Sequence, residues 1–360
     1  MSAKRLAAVR QLLEAENLDG LIVTNRNQVR YLTGFSGHED LDGLLVLSGR
    51  QVLLLTDFRY TEQAKKQVKR ARVHIVKGGK VAALKDFPAL KAKNRRFGYC
   101  AETTTMAVHK QLETSLSGCL LVAADDVFAK LGWVKEKSEL ASITKAVEIA
   151  DIAYERILNL VAPGIREREL AAELEYQMMM LGSEKAAFDT IVASGYRSAM
   201  PHGTASSKKL RKGDFVTFDF GAMIDGYVSD ITRTLVVGKA TSRQKKIYNI
   251  VLRAQQTAIR KMKPGIACKA VDKAARQVIS KAGYGKNFGH GTGHGISIEV
   301  HSGPRLSQLS NDKLKVNNVV TVEPGIYISG WGGVRIEDDV LVTRTGRRVL
   351  NRATKKMLEL

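Results

Sequence analysis

Histidine residues cluster in the C-terminal half of this sequence in a way that is typical of a chemical site. Four of the 7 histidines lie there, at His202, His290, His294 and His301. The first three adjoin glycine residues, and none of the four follows an amphipathic pattern. Because a neutral imidazole is a common metal ligand, these residues are candidates for a single metal or catalytic site.

Two predicted β-hairpins in the same region carry acidic residues where a buried strand normally has apolar side chains. The first places Asp219 in one strand and Asp230 in the returning strand. A buried carboxylate without a partner is costly, so Asp219 requires a cation or a hydrogen-bond donor. Closure of this hairpin between Ile224 and Asp225 predicts that Asp219 lies directly opposite Asp230, with Cβ atoms about 5 Å apart. Two anions at that spacing repel each other unless a positive charge lies between them.

The second predicted hairpin repeats the arrangement, with Glu323 and Glu337 on either side of a turn centred on Gly330. Any one of the four acidic residues alone is better explained as a salt-bridge partner or a strand-end residue. Together they predict an oxygen-rich site that one neutral imidazole would complete, suited to two divalent metal ions about 3.5–4 Å apart. The sequence has no zinc-finger, HExxH, P-loop, GxSxG or GxGxxG motif, which excludes most other catalytic classes.

Ordered motifs surround these residues, at Ser194–Gly203, Asp219–Thr234, Gly289–Gly295, Glu323–Tyr327 and Gly333–Asp339. In composition and spacing they resemble the pita-bread metallopeptidases, specifically the Xaa-Pro branch that contains aminopeptidase P and prolidase. The resemblance extends to the N-terminal domain of these enzymes, through Tyr31–Phe35 and Thr56–Tyr60.

The resemblance implies an α/β, creatinase/prolidase-like N-terminal domain at residues 1–135. It implies a C-terminal α+β pita-bread catalytic domain at residues 136–360, with a pseudo-twofold internal repeat. The implied activity is metal-dependent hydrolysis of the peptide bond between an N-terminal residue and a following proline, in dipeptides or longer peptides. The implied assembly is a homodimer.

The resemblance also implies a role for each candidate metal ligand. Asp219 would chelate one ion, Asp230 and Glu337 would bridge both ions, and His294 and Glu323 would complete the opposite site. Glu323 would act in addition as the general base for an activated water. Such ligands suit manganese, which we expect, and also cobalt, iron or zinc. Since His294 must be neutral to bind metal, we expect activity to fall in acid.

Other residues are implied to act on the substrate. His202 and His301 would flank the scissile carbonyl and stabilise the oxyanion, while His290, Tyr327 and Arg335 would line the pocket or orient ligands. Structural alternatives remain open for the last three, including an Arg335 ion pair with Asp338 or Asp339. Because His294 and His301 are seven residues apart, an extended strand would place them on opposite faces, so this segment must bend.

The sequence departs from the Xaa-Pro branch after His301, where Ser302 and Gly303 replace a common glutamate. Some prolidases hold the free carboxylate of a dipeptide with an arginine at the position of Arg305. A guanidinium pairs bidentately with a carboxylate, which favours a dipeptidase, although Arg305 could also be an ordinary surface residue.

The elements that must position these residues follow from length and periodicity. A chain of 360 residues predicts two domains, with a boundary near residues 130–140. We expect helices near the N-terminus and at 60–68, 81–90 and 105–116, strands at 18–24, 73–76, 97–99 and 120–122, and a hairpin around Ser48-Gly49-Arg50. Long helices ending before Pro163 and Pro264 begin two halves that share one order: long helix, second helix, histidine-bearing segment, carboxylate-bearing hairpin. This order indicates an internal repeat.

The net charge of +21 favours a nucleic-acid partner at first sight. The densest basic cluster has helical spacing without interleaved aromatic residues, so we interpret it as a solvated helix face; it comprises Lys65, Lys66, Lys69, Arg70 and Arg72. A catalytically inactive pita-bread protein that binds RNA or acidic partners is the alternative function. Methionine aminopeptidase and creatine-hydrolysing relatives are further alternatives. The inactive protein and the creatine-hydrolysing relative are disfavoured because each predicted metal ligand is present. Methionine aminopeptidase is disfavoured by the full N-terminal domain and by the Gly289–Gly295 pattern of the Xaa-Pro branch.

Targeting signals are missing from the sequence as given. The N-terminal residues lack the apolar stretch of a signal peptide, and no run reaches the roughly 20 apolar residues of a membrane span. The three cysteines are far apart and odd in number. We therefore expect a cytoplasmic protein without a membrane partner. The resemblance implies a proline-containing peptide as its substrate, and we expect no nucleic-acid partner.

Overall fold

The structure is a computed structural model that describes residues 3–49, 51–90 and 93–360. The chain divides into two compact units, one ending at Leu131 and the other running from Gly132 to Leu360. Within the described ranges, no helix is both long enough and apolar enough to cross a membrane.

The first unit alternates helices and strands, and short 3-10 helices lie at Phe58–Tyr60, Ala82–Asp86 and Pro88–Leu90. The longer elements are α1 (Ala3–Ala15), β1 (Gly20–Val23), α2 (Arg26–Thr33), β2 (Leu44–Ser48), β3 (Gln51–Thr56), α3 (Thr61–Gln67), β4 (Arg72–Ile75), β5 (Arg96–Tyr99), α4 (Met106–Ser115), β6 (Leu120–Ala123) and α5 (Asp125–Lys130). The strands form one mixed sheet in the order β4-β3-β2-β1-β5-β6. Every residue of β1 and β2 is buried, so both faces of the sheet are covered at its centre. This is the predicted α/β architecture.

Two local predictions in this unit are wrong. The predicted helix at 81–90 is a pair of 3-10 helices, because Pro88 disfavours α-helical geometry in the residue before it. The basic cluster is exposed, as expected, but α3 ends at Gln67, so Lys69 and Arg70 lie beyond it and Arg72 belongs to β4. The predicted hairpin between β2 and β3 is present, and Arg50 of its turn lies outside the described residues.

The second unit contains two successive sets of helices and strands, with 3-10 helices at Leu158–Leu160, Gly195–Ala199 and Gly285–Asn287. The first set is α6 (Lys137–Ile157), α7 (Glu167–Met180), β7 (Ile191–Ser194), β8 (Phe215–Phe220), β9 (Met223–Ile224), β10 (Tyr227–Val228) and β11 (Ile231–Val236). The second set is α8 (Ser242–Lys261), α9 (Cys268–Lys281), β12 (Gly293–Gly295), β13 (Ser302–Leu306), β14 (Val319–Val322), β15 (Gly325–Ile328), β16 (Gly332–Arg335), β17 (Asp338–Thr343) and β18 (Gly346–Val349).

Each set follows the predicted order of long helix, second helix, histidine-bearing segment and hairpin. The first set forms the sheet β11-β8-β7, and the second forms β13-β12-β14-β17-β18. Apolar residues of α6 and α7 pack beneath the first sheet in one buried cluster, whereas those of α8 and α9 pack beneath the second in another. The helices thus cover one side of the strands that carry the acidic residues.

The first carboxylate-bearing hairpin closes one residue later in the chain than predicted. Its turn residues, Asp225 and Gly226, both have positive φ angles of 51° and 81°, which is the geometry of a two-residue turn matched to strand twist. Asp219 therefore pairs with Thr232, and the predicted direct opposition to Asp230 is wrong. Because the register changes by two residues, Asp219 and Asp230 still point to the same face of the hairpin.

The second hairpin has the predicted register, centred on Gly330. The same register continues from the β15–β16 ladder into the β14–β17 ladder, where Val322 pairs with Asp338. Glu323 and Glu337 lie between the two ladders. Asp230 occupies a similar gap between β10 and β11. Such gaps leave these side chains free of regular strand packing at the points where the hairpins approach the site.

Candidate metal centre

All predicted site residues line one cavity of about 1030 Å³ in the second unit. The cavity contains the carboxylates, the histidines and the other polar candidates, namely His202, Asp219, Asp230, His290, His294, His301, Arg305, Glu323, Tyr327, Arg335 and Glu337. Four stretches of chain that are distant in sequence supply them. The prediction that these residues come together is therefore satisfied by the fold.

Three carboxylates form the centre of the cavity. Ligand oxygens of Asp219, Asp230 and Glu337 lie within 4.8 Å of one another. Asp230 and Glu337 are only 5% and 2% exposed. Burial, reinforced by repulsion from neighbouring carboxylates, raises the pKa of both groups well above the usual range. Carboxylates this close and this buried need a cation between them to remain ionised.

His294 and Glu323 extend this centre on one side. His294 Nε2 lies 3.3 Å from Glu323 Oε1 and 3.7 Å from Asp230 Oδ2. Burial lowers the pKa of His294 and raises the pKa of Glu323. His294 is thus held in the neutral form that a metal ligand requires.

The donor set fits divalent metal ions. Asp219 Oδ1 is buried without a hydrogen-bond partner, which is a costly state that a cation would relieve. Four carboxylates and one neutral imidazole are also the ligand types that manganese and similar ions accept. The chemistry and the burial of these residues therefore agree with a metal centre.

Arg335 does not pair with Asp338 or Asp339, the structural alternative considered for it. Its guanidinium donates to Asp219 Oδ2 at 2.5 Å, to Tyr327 Oη at 3.0 Å and to the Pro201 carbonyl at 3.1 Å. One buried cation thus holds a carboxylate of the centre and the segment that precedes His202.

Asp338 and Asp339 have other partners. Asp338 pairs with Arg233 and Lys355. Asp339 Oδ2 accepts a hydrogen bond from the backbone N–H of Asp230. Asp339 therefore fixes the backbone of a predicted metal ligand, a role that the sequence did not indicate.

The remaining histidines surround the carboxylates. His290 Nε2 lies 2.9 Å from Tyr327 Oη, so both side chains belong to the network around Arg335. The rings of His294 and His301 are 4.5 Å apart, and Gly295 pairs with Ser302. The chain between the two histidines therefore bends, as predicted. Burial and the neighbouring His294 lower the pKa of His301.

Two threonines orient ligands and were not anticipated. Thr232 Oγ1 donates to Glu337 Oε2 at 2.6 Å. Thr321 Oγ1 donates to Glu323 Oε1 at 3.2 Å and accepts the backbone N–H of His294. Only the strand register reveals these roles, because threonine is common in β-strands for reasons of packing alone.

Gly293, which precedes His294, has no room for a side chain. A Cβ at Gly293 would lie 2.0 Å from the carbonyl oxygen of Thr321. We predict that Gly293→Ala lowers the free energy of unfolding by at least about 2 kcal/mol, because the two strands would have to separate. Gly289→Ala is the matched control, since a Cβ there meets nothing within 4 Å. Urea denaturation of both variants tests this; equal stabilities would contradict the prediction.

Known proteins and families match this chain over its whole length. Metallopeptidase family M24 matches residues 141–344, and the creatinase/prolidase N-terminal domain matches residues 5–131. An uncharacterized peptidase of Bacillus subtilis, YqhT, is 42% identical over 98% of this chain and 99% of its own length. A Xaa-Pro dipeptidase of Pyrococcus furiosus is 50% identical over 65% of this chain and 67% of its own. Among solved structures, a Xaa-Pro dipeptidase from Bacillus anthracis has a TM-score of 0.93 at 39% identity and covers 99% of both chains. The family description implies divalent metal ions, in agreement with the donor set, and the chain belongs to metallopeptidase family M24.

Proposed function

We propose that this protein hydrolyses the peptide bond between an N-terminal residue and a following proline, with dipeptides as its preferred substrates. The observation that carries the proposal is the convergence of Asp219, Asp230, His294, Glu323 and Glu337 in one cavity. The similarity to Xaa-Pro dipeptidases supports the substrate class.

These five residues would hold two divalent ions, with manganese as the expected metal. Asp219 would bind one ion, His294 and Glu323 the other, and Asp230 and Glu337 both. When bound, such ions supply Lewis acidity and make water nucleophilic near neutral pH.

Glu323 is suited to take the proton of the attacking water. Burial raises the pKa of its carboxyl, which makes the carboxylate a stronger base than an exposed glutamate. The hydroxyl of Thr321 and the imidazole of His294 hold Glu323 in place from two sides. Glu323 then delivers this proton to the leaving proline nitrogen, because one carboxyl group can act first as a general base and then as a general acid.

His202 and His301 would bind the oxygen of the scissile carbonyl. Both side chains line the cavity, and the lowered pKa of His301 favours its neutral form, which retains one N–H donor. A donor placed where negative charge develops stabilises the transition state more than the ground state. Arg335, Tyr327 and His290 form the hydrogen-bonded wall that positions Asp219 and the substrate.

Arg305 supplies the preference for dipeptides in this proposal. It lies on β13, is exposed and lines the cavity that contains the metal ligands. A guanidinium there pairs with the carboxylate that a dipeptide carries on its proline, whereas a tripeptide has no charge at that position.

We predict that Arg305→Met raises KM for Ala-Pro by about 10–100-fold, the loss expected for one charge-assisted hydrogen-bonded pair. The KM for Ala-Pro-Ala is expected to stay nearly constant. Arg305→Lys retains the charge and should lie between the wild type and Arg305→Met. Steady-state kinetics on both peptides measures this, and an equal increase of KM for the two peptides would exclude the carboxylate role.

The proposed function itself is tested by amino-acid release from Ala-Pro and Ala-Pro-Ala by metal-stripped protein, with and without added Mn²⁺. Metal-dependent release mainly from Ala-Pro is the expected result. A preference for Ala-Pro-Ala would establish an aminopeptidase instead. Absence of release from both peptides would favour the inactive binding protein, and RNA binding by the basic surface would then be measured.

We further propose a homodimer in the cytoplasm. The resemblance to the Xaa-Pro branch supports the dimer, and three cysteines that are far apart and odd in number fit a reducing compartment. Light scattering coupled to size-exclusion chromatography tests the assembly: the dimer has twice the chain mass of 39.5 kDa.

A further inference from the structure

The second helix of each set in the Gly132–Leu360 unit carries one carboxylate that is completely buried yet does not line the cavity. Glu167 is the first residue of α7, and Asp272 is the fifth residue of α9. Both are 0% exposed. Each contacts the histidine-bearing segment that follows its own helix.

Glu167 binds both ends of the segment 194–206, which contains His202. Its Oε1 accepts the N–H and the hydroxyl of Ser194, at 2.7 and 2.8 Å. Its Oε2 accepts Arg197 Nε at 3.0 Å, and the N–H and hydroxyl of Ser206 at 3.0 and 2.5 Å. All of these donors belong to that one segment, so Glu167 closes it into a loop that presents His202.

Asp272 binds the segment 288–292, which contains His290 and leads to His294. Its Oδ1 accepts the N–H and the hydroxyl of Thr292, at 3.1 and 2.9 Å. Asp272 also pairs with Arg276 one helical turn further along α9. Arg276 donates in turn to the carbonyl oxygens of Phe288 and His290, at 2.9 and 2.8 Å, so the pair holds the backbone on both sides.

Each carboxylate reaches a different part of the site. The Thr292 carbonyl, on the residue that Asp272 binds, accepts the backbone N–H of Glu323 at 2.8 Å. Asp272 is thus two hydrogen bonds away from a proposed metal ligand. The segment held by Glu167 meets the centre through the Pro201 carbonyl, which accepts from Arg335, and through His202 itself.

A buried carboxylate with several charge-assisted donors is a rigid anchor, because every alternative position leaves a charge unsatisfied. We propose that Glu167 and Asp272 are a pair of positioning residues with separate tasks. Asp272 holds Glu323 and His290 in the arrangement that binds metal, whereas Glu167 holds His202 in the arrangement that stabilises the transition state. The predicted effect on turnover rests on the proposed function. The predicted effects on metal binding and on the mobility of the two segments do not.

The test compares Glu167→Gln and Asp272→Asn in the full-length protein, with Glu169→Gln as the matched control. Glu169 lies on α7 beside Glu167, but its side chain is 45% exposed and pairs with Arg166. We expect Asp272→Asn to weaken Mn²⁺ binding by about 10–100-fold in calorimetric titration of the stripped protein, as for residues that support metal ligands. Glu167→Gln should bind Mn²⁺ like the wild type and lose about 10–100-fold in kcat on Ala-Pro with little change in KM.

Hydrogen exchange provides a readout that does not depend on activity. Glu167→Gln should accelerate exchange in 194–206 but not in 288–294, and Asp272→Asn should do the reverse. Thr292→Ser and Thr292→Val distinguish the loss of the hydrogen bond to Asp272 from a general loss of stability, since only the serine variant keeps the hydroxyl that Asp272 binds. Serine should retain the Mn²⁺ affinity, and valine should lose part of it.

Some outcomes would overturn the inference. Wild-type Mn²⁺ affinity in Asp272→Asn, or equal weakening of Mn²⁺ binding in both carboxylate variants, would exclude separate tasks. If Glu167→Gln does not fold, Ser206→Ala removes one donor and leaves the charge, and unchanged exchange in 194–206 would contradict the role of Glu167. If the wild type is inactive toward Ala-Pro, only the proposed function is refuted. The roles of Glu167 and Asp272 are still tested, because Mn²⁺ titration and hydrogen exchange do not require turnover.

Discussion

Asp230→Asn is expected to lower kcat/KM for Ala-Pro by at least about 10³-fold, as removal of one central catalytic group does in other enzymes. Asp230 is one of the three carboxylates whose oxygens lie within 4.8 Å of each other, and it would bridge both ions. Asparagine keeps the volume of the side chain and removes its charge. The loss should appear mainly as weaker Mn²⁺ binding and lower kcat.

Asp225→Asn is the matched control for this substitution. Asp225 belongs to the same hairpin but is exposed at its turn, outside the cavity. Its φ of 51° is tolerated by asparagine, so the fold should be unchanged. Activity of Asp230→Asn within about threefold of Asp225→Asn would show that Asp230 is not an essential ligand, because such a difference is under 1 kcal/mol.

Removal of the metal is expected to abolish activity and to lower stability in a pH-dependent way. Burial raises the pKa values of Asp230, Glu323 and Glu337 in the folded, metal-free chain. An acid with a raised pKa contributes stability that is present below its unfolded value and is lost as the pH rises through its folded value. The metal-free protein should therefore become less stable toward alkaline pH.

The histidines change the stability with pH in the opposite direction, and this sets the pH range of the measurement. Burial lowers the pKa values of His290, His294 and His301 below their ordinary value of 6.5, so their contribution is lost as the pH falls beneath that value. Above pH 6.5 these histidines are neutral, so a loss of stability toward alkaline pH in that range is attributed to the buried carboxylates. Protons also compete with Mn²⁺ for these carboxylates, so the two effects add.

Thermal denaturation of stripped protein, with and without saturating Mn²⁺, measures the effect. The increase in Tm on adding Mn²⁺ should be larger at pH 8.5 than at pH 6.5. The same experiment on Asp225→Asn should match the wild type, whereas Asp230→Asn should show a smaller increase at both pH values. A Tm increase that is independent of pH would mean that these carboxylates do not take up protons in the metal-free fold.

Much of the site could be predicted because chemistry requires particular residue types. Asp219 stands out within a largely apolar strand and Glu323 directly after another, and glycines on both sides of His294 indicate close approach of the backbone. The register of the second hairpin could be predicted correctly because the glycine at its turn centre, Gly330, is easy to recognise in the sequence. The order of helices and hairpins in both halves could be inferred from periodicity and from the Pro-Gly pairs.

Tertiary structure decided what short-range patterns do not contain. The pairing of Asp219 with Thr232 is an exception, because the Asp225-Gly226 dipeptide locally favours the two-residue turn that the structure has, and the predicted closure one residue earlier missed it. The choice of Asp219 as the partner of Arg335 depends on two hairpins meeting across more than a hundred residues.

Glu167 and Asp272 show the same limit most clearly. An acidic residue near the start of a helix is ordinary, because it interacts favourably with the helix dipole, and sequence alone therefore predicts an exposed side chain. In the fold both residues are enclosed by donors from segments that come later in the chain. The sequence by itself determined which chemical groups are available and the order of the elements that carry them. Their distances, their partners and their protonation were decided only by tertiary packing, because burial and charge proximity arise between residues that are remote along the chain.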